Sequence, residues 1–300
     1  MLKLEDVDDI VTEAVLAEYW ERGWWVGPKV FDDDEVQRLR QAHERLWAGE
    51  RDYPVNSFYG FMGHDLDTPV VRQQVDAFWM NAEMRRAILA PVIGKIAARL
   101  MRADSARLWH DQAIWKPGTG GREQTNAGNV GWHQDYGFWQ SCSTTNMCSA
   151  WVALQDTDPS NGTMRMVVGS HKWGLLEGSG NDKKDMEQWA DHFGRLGGAD
   201  WSEEPVLLKA GEVSFHHSLT FHGSGPNHSD QPRLSVISHM MPGDTVYRAG
   251  QNPHPNLTFL GPNAYDGQPF TSEFFPQMWP EAAGGPNPPS PFPQKEGGAS

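Results

Sequence analysis

Cysteine is scarce. Cys142 and Cys148 are the two in 300 residues, too few for a disulfide framework, and their spacing matches no zinc pattern. A reducing, cytoplasmic setting is predicted, in which the sequons at Asn161, Asn227 and Asn256 carry no glycan. Positive charge is short as well: 25 Lys+Arg stand against 39 Asp+Glu, a net −14. Such a surface repels a phosphate backbone and an anionic bilayer, so neither nucleic acid nor membrane is an expected partner. No apolar run approaches the ~18 residues that span a bilayer. The opening MLKLEDVDDI lacks a basic stretch followed by an apolar one, so no secretory signal is predicted. No internal repeat, Walker loop, dinucleotide fingerprint, HExxH or GxSxG is found.

Tryptophan is abundant, at 14, and glycine (31) and proline (21) crowd the second half. That composition favours short strands and turns there. The first part reads as helical. DDIVTEAVLAEYWERG carries apolar residues at helical spacing, GWWVGPKVF reads as a strand, and DDDEVQRLRQAHERLWAG is a helix between acidic cap residues and Gly49. Residues 70–103 read as one or two further helices broken near Pro91. From Ala106 the texture changes to short β-runs, which predicts a sandwich or barrel. A single catalytic domain over 1–283 is expected: a helical part (1–105), a β core (about 106–245) and an extension (246–283). Residues 284–300 are expected to form a loose tail. The insertion at 174–204 and the region 243–270 are candidate lids.

The stretch GWHQDYGFWQ (131–140) sets His133 and Asp135 two apart among aromatics. On a strand, residues i and i+2 share a face, so the pair converges while Trp132 and Gln134 turn away. One histidine and one carboxylate are part of the two-His, one-carboxylate set that suits Fe(II) and leaves positions open. The pair alone is weak. A second, His228–Asp230, sits among turn residues and reads as a turn. The third ligand has three candidates, His216, His217 and His222. His222 precedes GSG and, further on, Arg233 opens a β-run that can return beside it. A guanidinium grips a carboxylate with two parallel hydrogen bonds, as a dicarboxylic keto acid requires. Of the other two, His217 is expected to be structural or to support the site from behind, and His216 to pack or face solvent.

HQD at 133–135, NGTMRMVVGSH at 161–171 and HGSGPN…PR at 222–233 together resemble the phytanoyl-CoA dioxygenase family, from about Trp20 to Met241. The resemblance implies a mainly β fold, a double-stranded β-helix (jelly roll, cupin-like) with flanking N-terminal α-helices. It implies an Fe(II)- and 2-oxoglutarate-dependent dioxygenase that consumes O2, releases succinate and CO2, and most often hydroxylates an unactivated C–H of a small specialised metabolite. Desaturation, epoxidation and ring closure are other outcomes of such chemistry. Carried over by position, the resemblance makes His133, Asp135 and His222 the iron ligands. Arg233 then holds the far carboxylate of 2-oxoglutarate, with Trp151, Ser149, His110 and Gln112 as further contacts. Trp132, Phe138, Trp139 and Lys116 are candidates for the substrate pocket. Asp135 argues against halogenation, because related halogenases keep a small residue there to make room for halide. Two other readings stand beside this one: a sugar- or small-molecule-binding jelly roll, and a cupin enzyme that needs no 2-oxoglutarate. Neither requires Arg233.

Overall fold

A computed structural model describes residues 1–53, 61–62, 70–121, 128–180, 185–198 and 200–280. The expected tail at 284–300 lies outside the described residues, as do parts of the 174–204 insertion. The chain runs through α1 (Val7–Ile10), α2 (Glu13–Arg22), β1 (Trp24–Lys29), α3 (Asp33–Trp47), β2 (Phe61–Met62), β3 (Arg72–Val75), α4 (Ala82–Ile88) and α5 (Pro91–Leu100). It continues through β4 (Ala106–Lys116), β5 (Val130–His133), β6 (Cys148–Ala153), β7 (Arg165–Val167), α6 (Met186–Gly197) and β8 (Glu203–Pro205). The last elements are β9 (Glu212–His217), β10 (His222–Ser224), β11 (Arg233–Pro242) and β12 (Gln277–Trp279).

Local chemistry accounts for the helix ends. Asp32 and Glu35 form a reciprocal capping box at the start of α3. Helix α2 stops at Gly23, whose φ of +84° is a left-handed conformation. A Cβ there would come within 2.4 Å of His171 Nδ1, so only glycine lets the chain turn straight into β1. The single helix expected over the first segment is in fact two. The Thr12 hydroxyl accepts from Val15 N at 3.4 Å, and that competing bond restarts the helix. Residues 72–75 are also not helical. They pair with Gln112–Trp115 of β4, and the open edge of a sheet outweighs local propensity.

Two antiparallel sheets face each other as a jelly roll. The larger runs β1-β9-β6-β11-β4-β3-β2, with β12 also on β4; the smaller runs β5-β10-β7-β8. Strands from outside the 106–245 span therefore complete the large sheet, and the core is wider than that span. Both faces of the large sheet are covered. Cys148, Ala150 and Val152 of β6, Val213 and Phe215 of β9, and Leu234 and Val236 of β11 join Leu39, Ile93 and Ile96 of the helices in one buried cluster. Their sequence neighbours turn the other way, into the space between the sheets. That alternation builds the site. No described helix is long and apolar enough to cross a membrane.

Candidate metal centre

A cavity of about 570 Å³ lies between the sheets. His133 closes β5, and His222 opens β10; the two are register partners on adjacent strands. Their rings lie 4.1 Å apart. Asp135 is not on the strand. It begins a short 3-10 turn, residues 135–137, so the carboxylate reaches the histidines by a change of backbone rather than by strand alternation. Asp135 Oδ1 is 3.7 Å from His133 Nε2 and 3.6 Å from His222 Nε2. Donor atoms of the three residues all lie within 4.8 Å of one another, and the residues are buried. Bonds of ~2.0–2.2 Å from nitrogen and oxygen donors to one ion span such gaps.

The hydrogen bonds behind the cluster set its protonation. His133 Nδ1 donates to Gly131 O at 2.8 Å, and His222 Nδ1 donates to Thr220 O at 3.0 Å. Each Nε2 is therefore the free lone pair, turned toward Asp135. Burial pushes both imidazoles down to about 4, so they are neutral near pH 7. Burial opposes charge on Asp135, but His222, a hydrogen bond from His216 and the nearby His239 hold its carboxyl well below the usual range. The second oxygen of Asp135 is held from behind. Oδ2 accepts from Ser149 Oγ at 2.7 Å and from His216 Nε2 at 3.3 Å. A donor set of two neutral imidazoles and one oriented carboxylate fits a divalent first-row metal such as Fe(II).

Arg233 stands at the first position of β11, on the sheet opposite His222, not on a strand beside it. The cavity, rather than strand pairing, brings both into one site. Its guanidinium carbon lies 5.0 Å from the centre of the Trp151 ring. Arg233 is 3 % exposed, and neither its Nε nor its Nη1 meets a hydrogen-bond partner. Burial lowers it to about 10, which still leaves it charged. A buried cation with donors to spare fits a carboxylate ligand.

The other expected residues divide. His110, Gln112, Phe138, Trp139 and Trp151 line the cavity. Ser149 does not line it; its hydroxyl serves Asp135 and His239. Trp132 points outward, where its indole donates to Met186 O and its ring meets Trp201 at 5.0 Å. It belongs to an aromatic cluster with Phe193 and Phe221, so it is no pocket residue. Lys116 is also not in the pocket. Its ammonium donates to Ser224 Oγ at 2.6 Å and to the Gly225 carbonyl, which ties the two sheets together.

Of the adjacent histidines, His216 departs from expectation, whereas His217 takes the structural alternative. His216 touches Asp135, while His217 faces away and meets the Trp20 ring at 5.6 Å. Strand parity carried the signal: Val213 and Phe215 mark the core face of β9, so Ser214 and His216 belong to the other. His239 and His254, not anticipated, also line the cavity. His239 was legible by the same rule, six residues on from Arg233. Of the candidate lids, residues 252–255 reach the cavity, whereas the described part of the 174–204 insertion does not line it.

The family described as phytanoyl-CoA dioxygenase (PhyH) matches residues 19–235. Rat (Rattus norvegicus) peroxisomal phytanoyl-CoA dioxygenase is 25% identical over 240 residues, covering 76% of this chain and 68% of the relative. A methylphosphonate hydroxylase of Gimesia maris is 28% identical over 232 residues, covering 75% and 79%. Among solved structures, the epimerase SnoN in complex with Fe3+, alpha ketoglutarate and nogalamycin RO superposes with a TM-score of 0.67 at 26% identity, covering 90% of this chain and 100% of that one.

Proposed function

Given that this chain belongs to the phytanoyl-CoA dioxygenase family, we propose that it is a non-haem Fe(II)- and 2-oxoglutarate-dependent dioxygenase hydroxylating an unactivated C–H of a small molecule. The overall change is substrate C–H plus O2 plus 2-oxoglutarate to substrate C–OH, succinate and CO2. The observation that carries the reading is one cavity with His133, Asp135 and His222 converging at one place and an unpaired, buried Arg233 elsewhere on its wall. A lectin-like jelly roll needs neither, and a cupin enzyme without the keto acid has no use for Arg233.

His133, Asp135 and His222 hold the iron, which supplies the oxygen chemistry when bound. Ser149 and His216 orient the Asp135 carboxylate through Oδ2, leaving Oδ1 for the metal. Arg233 grips the far carboxylate of 2-oxoglutarate, and the Trp151 ring beneath the guanidinium adds a cation–π contact. Gln112 lies on β4 between this end and His110 and is a further polar contact for the keto acid or the substrate. Trp139 and Phe138 exclude water from the reacting side. The relatives are named for phytanoyl-CoA and for methylphosphonate, and the solved epimerase holds nogalamycin RO, so the family name alone leaves substrate and outcome open.

Anaerobic titration with Fe(II) and then 2-oxoglutarate tests the reading. A weak visible charge-transfer band is expected that needs both additions and is absent in His222→Ala. No band and no saturable binding of either would overturn it.

A further inference from the structure

Beyond the metal ligands, the cavity wall carries a group of histidines that the proposed chemistry leaves without a task. His239 sits on β11 and His110 directly opposite it on β4, as register partners. Their rings are 4.4 Å apart, and His254 lies 5.0 Å from His110. Trp139 closes the group at 4.8 Å from His239.

The hydrogen bonds assign the proton on His239. The Asp135 carboxylate only accepts, so Ser149 must spend its one hydrogen on Oδ2 at 2.7 Å. Ser149 Oγ is then an acceptor toward His239 Nδ1 at 2.8 Å, which must carry the proton. His239 Nε2 is left as a bare acceptor, buried and without a partner. Neither ring nitrogen of His110 has a hydrogen-bond partner either. His254 is set the opposite way: its Nδ1 accepts from Asn256 N at 3.2 Å, so Nε2 carries the hydrogen. A buried acceptor with nothing to accept from costs free energy unless a ligand supplies the donor.

Charge narrows the ligand further. Among the described lining residues, Asp135 and Arg233 are the only carboxylate and guanidinium, and no lysine lines the cavity. The first is committed to metal and the second to the keto acid. His239 lies six positions along β11 from Arg233, roughly 20 Å of extended strand. An anionic group at the histidine end would find no lysine or arginine beside it among the described lining residues. Apolar rings border this end: Trp139 lies 5.5 Å from His110 and 4.8 Å from His239, and Pro253 and Pro255 flank His254 on the cavity wall.

We infer that the histidine end of the cavity binds an uncharged, ring-bearing alcohol, whose O–H donates to His239 Nε2 while His254 Nε2–H and His110 serve its oxygens. This rests on the reading under Proposed function, which assigns the cavity to an oxygenase and Arg233 to its keto acid. His239 is then a specificity-determining residue. Its tautomer is dictated, through Ser149, by the carboxylate that holds the metal.

The test uses the full-length protein loaded anaerobically with Fe(II) and 2-oxoglutarate and three probes of one shape: naphthalen-2-ylmethanol, its methyl ether and 2-naphthoate. Equilibrium dialysis measures affinity, and the visible band is recorded in the same samples. The alcohol binds roughly tenfold more tightly than either other probe, the size of one net hydrogen bond. His239→Phe keeps a ring and removes the acceptor, so the alcohol's advantage over the ether disappears. His239→Gln, whose amide oxygen accepts, restores part of it. Equal affinity for alcohol and ether in the unsubstituted protein, preference for naphthoate, no binding of the alcohol, or a preference that survives His239→Phe would each overturn the inference. The band separates the two readings: if it forms while the alcohol preference is missing, the substrate inference alone fails. If it does not form, the oxygenase reading fails.

Discussion

At the scale of single residues, the site depends on which atom of each group is already occupied. Asp135 has one oxygen held by Ser149 and His216 and one turned to the histidines. Asp135→Ala removes the ligand and leaves a small void, so the Fe(II)–2-oxoglutarate band and turnover are lost while circular dichroism is unchanged. Ser149→Ala keeps all three ligands but leaves Oδ2 with the longer His216 contact alone. Fe(II) affinity falls roughly tenfold or more, the usual cost of losing a bond behind a metal ligand, as competition with a chelator would measure. Arg233 is a charge buried in advance of its ligand. Arg233→Met therefore stabilises the protein without 2-oxoglutarate by about 1 kcal/mol or more, since no unpaired guanidinium is then desolvated. It also abolishes the rise in Tm that 2-oxoglutarate produces in the unsubstituted protein. A fall in Tm of the ligand-free variant would contradict this account of Arg233.

At the scale of elements, helices hold the large sheet from behind and so fix the back of the site. Helix α4 is capped by Asn81, whose Oδ1 accepts from Glu83 N at 3.0 Å and Met84 N at 3.1 Å. The end of α4 is tied to β11 by Ser238 Oγ, which donates to Ile88 O at 2.9 Å. Asn81→Ala leaves two N–H groups, one buried and one part-buried, short of an acceptor and costs about 1 kcal/mol or somewhat more, with Asn81→Ser recovering most of it. The urea midpoint measures both. The helical elements were legible from apolar spacing and caps, as Asp32 and Glu35 of α3 illustrate. The strand at 72–75 was not legible, because its partner on β4 lies some forty residues on in the chain. Nor was the turn that begins at Asp135, since His-x-Asp reads as plain strand until His222 is seen across from His133.

At the scale of the whole molecule, a pair of buried carboxyls joins the front and back of the β core. Asp111 on β4 accepts from Ala77 N at 2.9 Å, and Asp76 accepts from Asn256 of the segment that reaches the cavity mouth, at 3.4 Å. Burial pushes Asp76 up to about 7, and burial together with the Asp76 charge raises Asp111 well above the usual range. An acid raised by folding binds more protons folded than unfolded between its two pKa values, so stability falls as pH rises through that window. Between about pH 4 and 7 the native protein therefore loses stability relative to Asp76→Asn, and the difference levels off above. The asparagine suits the left-handed φ of 55° at that position. Urea unfolding of both proteins at stepped pH measures this, and a constant difference would refute the buried-acid account.

What the sequence determined by itself is the chemistry. Side-chain types are given in full there, and the motifs around His133, Asp135, His222 and Arg233 come in an order and context that few folds share. Strand parity could have added His216 and His239, but only once Val213, Phe215, Leu234 and Val236 are known to form the core face. What only the tertiary structure decided is assignment among equals. Trp132 and Trp139 have the same side chain in one short run, yet one packs outside the small sheet and the other lines the cavity. Ser149 and Lys116 turned out to be structural ties because their partners, Asp135 and Ser224, come from elsewhere in the chain. The proton on His239 is the furthest case. It follows from a carboxylate and a serine on two other segments, and a local stretch of sequence holds no record of a hydrogen bond between distant strands.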